Sequence, residues 1–199
     1  MADLEKTGKN LEGRGFRVHR FATGAEAADY LVQTLHGTSI GIGGSVTIDT
    51  LGVYDRLCES NEVFWHWKNH APETRERAGK AETYLCSANG VSENGEIVNI
   101  DGFGNRVAGT IYGPERVFLV VGRNKIAPDL TGAIDRARYI AAPLNARRLN
   151  RHTPCAVGEP RCHDCRSPEK VCGVMTVFFM PPTSIKEFHV ILVNEDLGY

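Results

Sequence analysis

Two hydrophobic rhythms take turns along the chain: segments in which apolar residues recur every three to four positions, and shorter runs of β-branched and aromatic residues that alternate or are continuously apolar. The first predicts helices and the second strands. A helix is expected over residues 2–14, ended by Gly13 to Gly15. The segment Phe16 to Ala22 (FRVHRFA) has strand composition. Thr23 then caps a helix whose Ala28, Leu31, Val32 and Leu35 share one stripe, with Gly37 as its stop. A buried strand TSIGIG, a loop GGSVTIDT and a helix over residues 50–58 follow. EVFWHW reads as a strand, PETRERAGKAE as a helix with Pro72 at its start, and TYLCSANGV as a further strand. Asn94–Gly95, Asp101–Gly102 and Gly104–Asn105 frame the short strand EIVNI as a turn-rich hairpin. The run Arg116 to Gly122 (RVFLVVG) is apolar throughout, as in a strand covered on both faces. DLTGAIDRARYIAAP supplies a helix that ends there or continues through NARRLN, and VMTVFFM and Phe188 to Asn194 are two closing strands. This alternation is that of an α/β sheet with helices on its faces.

Length and composition narrow the class. At 199 residues, 42% hydrophobic and 24% charged, the chain is expected to form one domain over residues 1–199 with a core that needs no disulfide staples. A net charge of −1 gives no bulk attraction to nucleic acid or anionic membrane. No stretch approaches the roughly 18 apolar residues of a membrane span, and the first residues lack the apolar core of a signal peptide, so the cytoplasm is the expected compartment. There, cysteines serve metals or redox chemistry more readily than structural disulfides.

Four of the six cysteines, Cys155, Cys162, Cys165 and Cys172, fall within eighteen residues. Cys162-x-x-Cys165 can chelate from a tight turn, with the outer pair placed symmetrically six residues beyond each end, and such short loops close at small entropic cost. Four thiolates can complete the shell of a zinc ion or an iron–sulfur cluster, but the spacing matches neither paired zinc-ribbon motifs nor the ferredoxin run. Arg151, Arg161, Arg166, Lys170, His152 and His163 favour thiolates nearby. The alternative is free thiols, with a reversible disulfide between Cys162 and Cys165. The segment at about 151–173 reads as an insertion between elements.

A second candidate site is Ile40 to Gly52. There a buried strand runs into Gly41, Gly43, Gly44, Ser45 and Thr47, and backbone N–H groups, hydroxyls and a helix start favour an anion. It is no P-loop, and a tight strand-to-helix turn is the competing reading. A third is the polar hairpin region with Asn89, Glu93, Glu96, Asn99, Asp101, Asn105 and Arg106. Asp101 or Glu96 is a candidate base, and Arg106 or Lys125 a candidate holder of a carboxylate or phosphate, although most of these residues suit ordinary surface turns. The alternation Trp65-His66-Trp67 puts both indoles on one strand face, for core packing or a homodimer contact. His19, His36, His70 and His189 form no visible constellation.

Taken together, GGSVTIDTLG, SANGVSENGEIVNIDGFGNRVAGTIYGPERVFLVVGRNKI, AAPLNARRLNRHTPC with its following cysteines, and HVILVNEDLGY closely resemble the LUD-domain (lactate-utilisation, DUF162) family over nearly the whole chain. The pattern from Thr153, Pro154 and Cys155 to Cys172 resembles its short, stand-alone branch. The resemblance implies a three-layer α/β sandwich with a mostly parallel central sheet, like that of the NagB/RpiA/CoA-transferase group. In that group the loop at Gly43, Gly44, Ser45 and Thr47 would cradle a phosphate or CoA moiety. It also implies lactate-to-pyruvate oxidation alongside iron–sulfur partner proteins, making electron transfer the expected task of the four cysteines. A small 2-hydroxy acid would then bind near Gly44, Ser45, Asn105 and Arg106. Two further functions compete with this one: a non-redox isomerase or CoA-transferase-like enzyme with Asp101 or Glu96 as base and a structural zinc, and a non-catalytic scaffold.

Overall fold

A computed structural model describes residues 3–199. Ten strands, β1 (Arg17–Phe21), β2 (Ser39–Ile42), β3 (Glu62–Trp65), β4 (Thr83–Ser87), β5 (Gly90–Ser92), β6 (Ile97–Asp101), β7 (Arg116–Gly122), β8 (Ile126–Ala127), β9 (Val174–Phe178) and β10 (Glu187–Val193), form two sheets. The larger has the order β1-β10-β7-β4-β2-β3, and every adjacent pair runs parallel. Parallel neighbours require crossovers, which the helices α2 (Gly24–Thr34), α3 (Val46–Leu51), α4 (Tyr54–Cys58), α5 (Thr74–Lys80) and α6 (Asn105–Ile111) help to supply, while α1 (Leu4–Gly13) precedes β1. This is the expected central parallel sheet flanked by helices.

Both faces of the sheet are dry, which explains its near-continuous apolar strands. One face packs Leu85, Phe118, Val120 and Ile191 against Ala28, Leu31 and Leu35 of the α2 segment and Ile48 of α3. The other packs Cys86, Leu119, Val121 and Val190 against Leu11 of α1 and, unexpectedly, against a second sheet through Val91, Ile97 and Phe178. That sheet, β8-β5-β6-β9, is mixed, with β5–β6 and β6–β9 antiparallel and β5–β8 parallel. Its outer face is closed by a long helical stretch: α7 (Leu130–Asp135), a π-helical turn at Arg136–Ala141, and α8 (Ala142–Arg148), through Ala133, Ala137 and Ala142. A short α9 (Pro154–Val157) opens the cysteine segment, which joins α8 to β9.

Several expected boundaries move for physical reasons. The first helix begins at Leu4, capped by Asp3 accepting from the Lys6 amide, while the part of that expectation at residue 2 lies outside the described residues. Thr23 caps α2 in a reciprocal box with Glu26, but the helix stops at Thr34 so that extended Leu35 can enter the core, ahead of Gly37. The expected loop GGSVTIDT is already helical from Val46. The helix expected over residues 50–58 is two short ones, split where Gly52 takes φ of +64°. β3 ends at Trp65, so Trp65 and Trp67 do not share a strand face. They stack at 5.6 Å instead, with Trp65 in the core and Trp67 at the edge of the cleft described below. TYLCSANGV divides after Ser87, β4 staying in the large sheet and β5 starting the small one. The predicted strand VMTVFFM likewise pairs with β6 in the small sheet.

Candidate functional site

At the carboxyl ends of β2, β4 and β7 the chain opens a cleft of about 580 Å³. This is where open α/β sheets bind ligands. The loop after β2 contributes Gly44, Ser45 and Thr47, and β4 contributes Ser87, with Asn89 just beyond it. Asp101 closes β6, Asn105 and Arg106 open α6, and Lys125 follows β7. From the helical stretch come Asn145 and Arg148, and from the cysteine segment Arg151, Glu169 and Lys170. Sequence-distant candidates therefore meet on one surface.

The cleft is strongly cationic. Arg75, Arg106, Arg148, Arg151 and Lys170 line it against only Asp101 and Glu169, and none of these five cations makes a salt bridge among the described residues. Both carboxylates are occupied elsewhere. Asp101 accepts from the backbone N–H groups of Phe103 (3.2 Å), Arg106 (3.0 Å) and Val107 (3.2 Å), capping α6. Glu169 accepts from the His152 amide at 2.9 Å. Uncompensated guanidinium groups in a concave site create a positive potential that an anion relieves.

Arg106 is the best-positioned of them. Its Nη2 donates to Asn89 Oδ1 at 2.7 Å and to the Ile100 carbonyl, while Nε and Nη1 have no partner among the described residues. Gly43 makes room for it, since a Cβ there would lie 3.0 Å from Arg106 Cγ. Gly43 does not itself line the cleft, and its amide is spent on the Leu85 carbonyl. Ser45 Oγ accepts from the Ile48 amide as the cap of α3, and Thr47 Oγ1 accepts from the Lys125 amine at 2.7 Å. Arg148 Cζ lies over the Trp67 ring, 4.6 Å from its centroid, with Nε donating to Tyr199 Oη at 2.8 Å. Glu96 stands apart: it lines no part of the cleft and is paired with Arg14 of the first helix.

The four cysteines line a second cavity, of about 320 Å³, together with Ile134, Pro143, Ala146 and Met175. All are partly buried and unpaired as disulfides. Cys162 Sγ accepts from the Asp164 amide at 3.4 Å and lies beside the Arg138 guanidinium. Burial, by contrast, raises the Cys172 thiol, with Lys170 opposing. Among the described residues no three His, Cys, Asp or Glu side chains come together around a single ion position. Four cysteine thiols on one cavity are a donor set of the kind that a zinc ion or an iron–sulfur cluster takes.

The two cavities share a wall. Ile100, Lys170 and Val171 line both, and backbone packs closely there: a Cβ on Gly102 would come within 2.8 Å of Val171 Cα. Arg75, Ser87, Arg148 and Tyr199 are cleft residues that sequence reading did not single out, because they come from four unconnected segments. A partial sign was available in Asn145 and Arg148, a polar pair three apart near the end of a helix.

The LUD domain family matches residues 4–193 of the chain. Among solved structures, that of a DUF162 family protein from Deinococcus radiodurans aligns with a TM-score of 0.56 at 13% identity, covering 96% of this chain and 95% of that one. No curated protein matches.

Proposed function

The chain belongs to the LUD-domain family, and from that premise we propose that it is a component of a lactate-utilisation-type redox system, binding a small carboxylate or phosphorylated anion beside a sulfur-ligated metal centre. The observation that carries this reading is the common wall of Ile100, Lys170 and Val171, which sets the thiol cavity against the anion cleft. Electron exchange between a bound 2-hydroxy acid and a redox centre requires such proximity.

In this reading Arg106 holds the carboxylate through its free Nε and Nη1, and Arg148 and Arg75 widen the positive field for a larger anion. Gly44, Ser45 and Thr47 form the floor. Cys155, Cys162, Cys165 and Cys172 would hold an iron–sulfur cluster, which when bound supplies one-electron transfer. Arg138 lies beside Cys162, Lys170 opposes the upward push of burial on the Cys172 thiol, and Ile100 and Met175 line the same cavity. The expected partners are iron–sulfur proteins that pass electrons onward. Among the described residues no helix is long and apolar enough to cross a membrane.

Anaerobic purification followed by metal analysis and visible spectroscopy tests the proposal. Iron with sulfide and an absorption that bleaches on dithionite is the expected result, along with calorimetric binding of L-lactate or inorganic phosphate that Arg106→Gln weakens by about tenfold or more. A colourless protein holding only zinc would sink the redox reading.

A further inference from the structure

Lys125 is a buried amine to which the proposed function gives no task. It ends the short 3₁₀ turn Arg123–Lys125 after β7 and is only 3% exposed, yet it lines the cleft. Its amine donates to Thr47 Oγ1 at 2.7 Å and Ser87 Oγ at 2.8 Å, while those hydroxyls donate onward to the carbonyls of Leu197 and Ala88. These are its hydrogen-bond partners among the described residues. An ammonium has three N–H donors, whereas an uncharged amine has two and a lone pair. Two acceptors suit the uncharged form.

The groups facing it agree. Arg106 at the start of α6 and Arg136 from the π-helical turn are both cations, and the Cys86 thiol of β4 is pushed up to about 12 by burial and stays protonated. Among the described residues no carboxylate pairs with the amine. Burial first, then the two guanidinium groups, hold Lys125 well below the usual lysine range. A desolvated lysine beside cations is the state in which an amine attacks carbonyl carbon.

We propose that Lys125 is a nucleophile toward a small 2-oxo acid: its amine condenses with the keto carbon while Arg106 holds the carboxylate, giving an imine. The Nζ lone pair forms the bond to carbon as the C=O π pair moves to oxygen. The two nitrogen-bound protons then pass to that oxygen, which leaves as water, and C=N remains. No oxidant or reductant is needed, and water reverses the step. Only the keto form can condense, so the cleft distinguishes a 2-oxo acid from the matching 2-hydroxy acid by covalent capture. The inference rests on the cleft being a carboxylate site.

Trapping with pyruvate and sodium cyanoborohydride on the full chain at pH 7, followed by peptide mass mapping, tests it. The expected result is a gain on Lys125 equal to the keto acid less its carbonyl oxygen, suppressed by phosphate and absent in Lys125→Met. Labelling of Lys125 should outpace that of surface lysines by at least about tenfold, since an ordinary lysine is uncharged in only about one molecule in a thousand at that pH. Mapping the unsubstituted protein decides the matter even if Lys125→Met folds poorly. Adducts confined to surface lysines, in protein that still binds lactate or phosphate by calorimetry, would overturn the nucleophile and leave the anion cleft standing. Failure of both binding and trapping would overturn both.

Discussion

Replacing Asp101 separates two roles that its position allows. Its carboxylate accepts from three backbone amides at 3.0 to 3.2 Å, two of them at the start of α6, where helix N–H groups otherwise lack partners. Loss of a side-chain cap costs about 1 kcal/mol, and hydrogen bonds to a charged acceptor are worth somewhat more than neutral ones, so Asp101→Ala should destabilise by about 2 kcal/mol. For a domain of this size that lowers the thermal midpoint by roughly 4–8 °C. Asp101→Asn keeps one good acceptor oxygen and should lose about half as much. Because α6 begins with Asn105 and Arg106, fraying there also displaces the free guanidinium edge, and phosphate affinity should fall in the same order, Ala below Asn below the unchanged chain. Thermal denaturation by circular dichroism with a parallel phosphate titration reads both. An Asp101→Asn protein of unchanged stability that has lost a turnover would refute the capping argument and restore Asp101 as a base.

Gly41→Ala should destabilise by about 3 kcal/mol or more, seen as insolubility or a collapsed denaturant midpoint, because its Cβ would sit 2.0 Å from the Ala78 carbonyl where α5 crosses β2. His19 and His189, 2.9 Å apart between β1 and β10, are both held below the usual histidine range, chiefly by burial. The unfolded chain therefore binds more protons than the folded one, and stability should be full above about pH 6.5 and fall as pH drops below it. Urea titrations from pH 7.5 to 5 check this, and His19→Gln should flatten the trend. Cys162→Ser should abolish any iron-dependent absorption and also weaken phosphate binding severalfold, because the segment that carries it supplies Arg151 and Lys170 to the cleft. Unchanged phosphate affinity in that variant would show the shared wall to be rigid without its centre.

The large sheet was legible because strands buried on both faces leave an unmistakable apolar record, RVFLVVG and FHVILV above all. The small sheet was not. Periodicity shows that TYLCSANGV is extended but carries no mark of which neighbour it pairs with, and the change of sheet after Ser87 is a tertiary choice. A helix start is legible where a side-chain cap stands out: Thr23 marks one, while Ser45 reads equally as part of an anion loop although its hydroxyl caps α3. In the site, Arg106 and Lys125 were visible as polar residues at strand ends. Glu96 carried the same local sign and proved to be tied to Arg14, 82 positions away, a pairing that no local pattern encodes. Arg75 and Arg148 became part of the cleft only through folding.

The wall common to the two cavities has a thermodynamic consequence. Lys170 lines both, its Nζ donating to the Cys165 carbonyl at 3.3 Å while its charge acts on Cys172. With a redox centre on the cysteines, an anion seated in the cleft and an electron added to the centre compete for the same positive potential. Linkage makes that competition reciprocal: whatever factor reduction takes from anion affinity, anion binding takes from the ease of reduction, about 59 mV for each tenfold change in a one-electron couple. Occupancy of the cleft would thus lower the potential of any centre held on the cysteines.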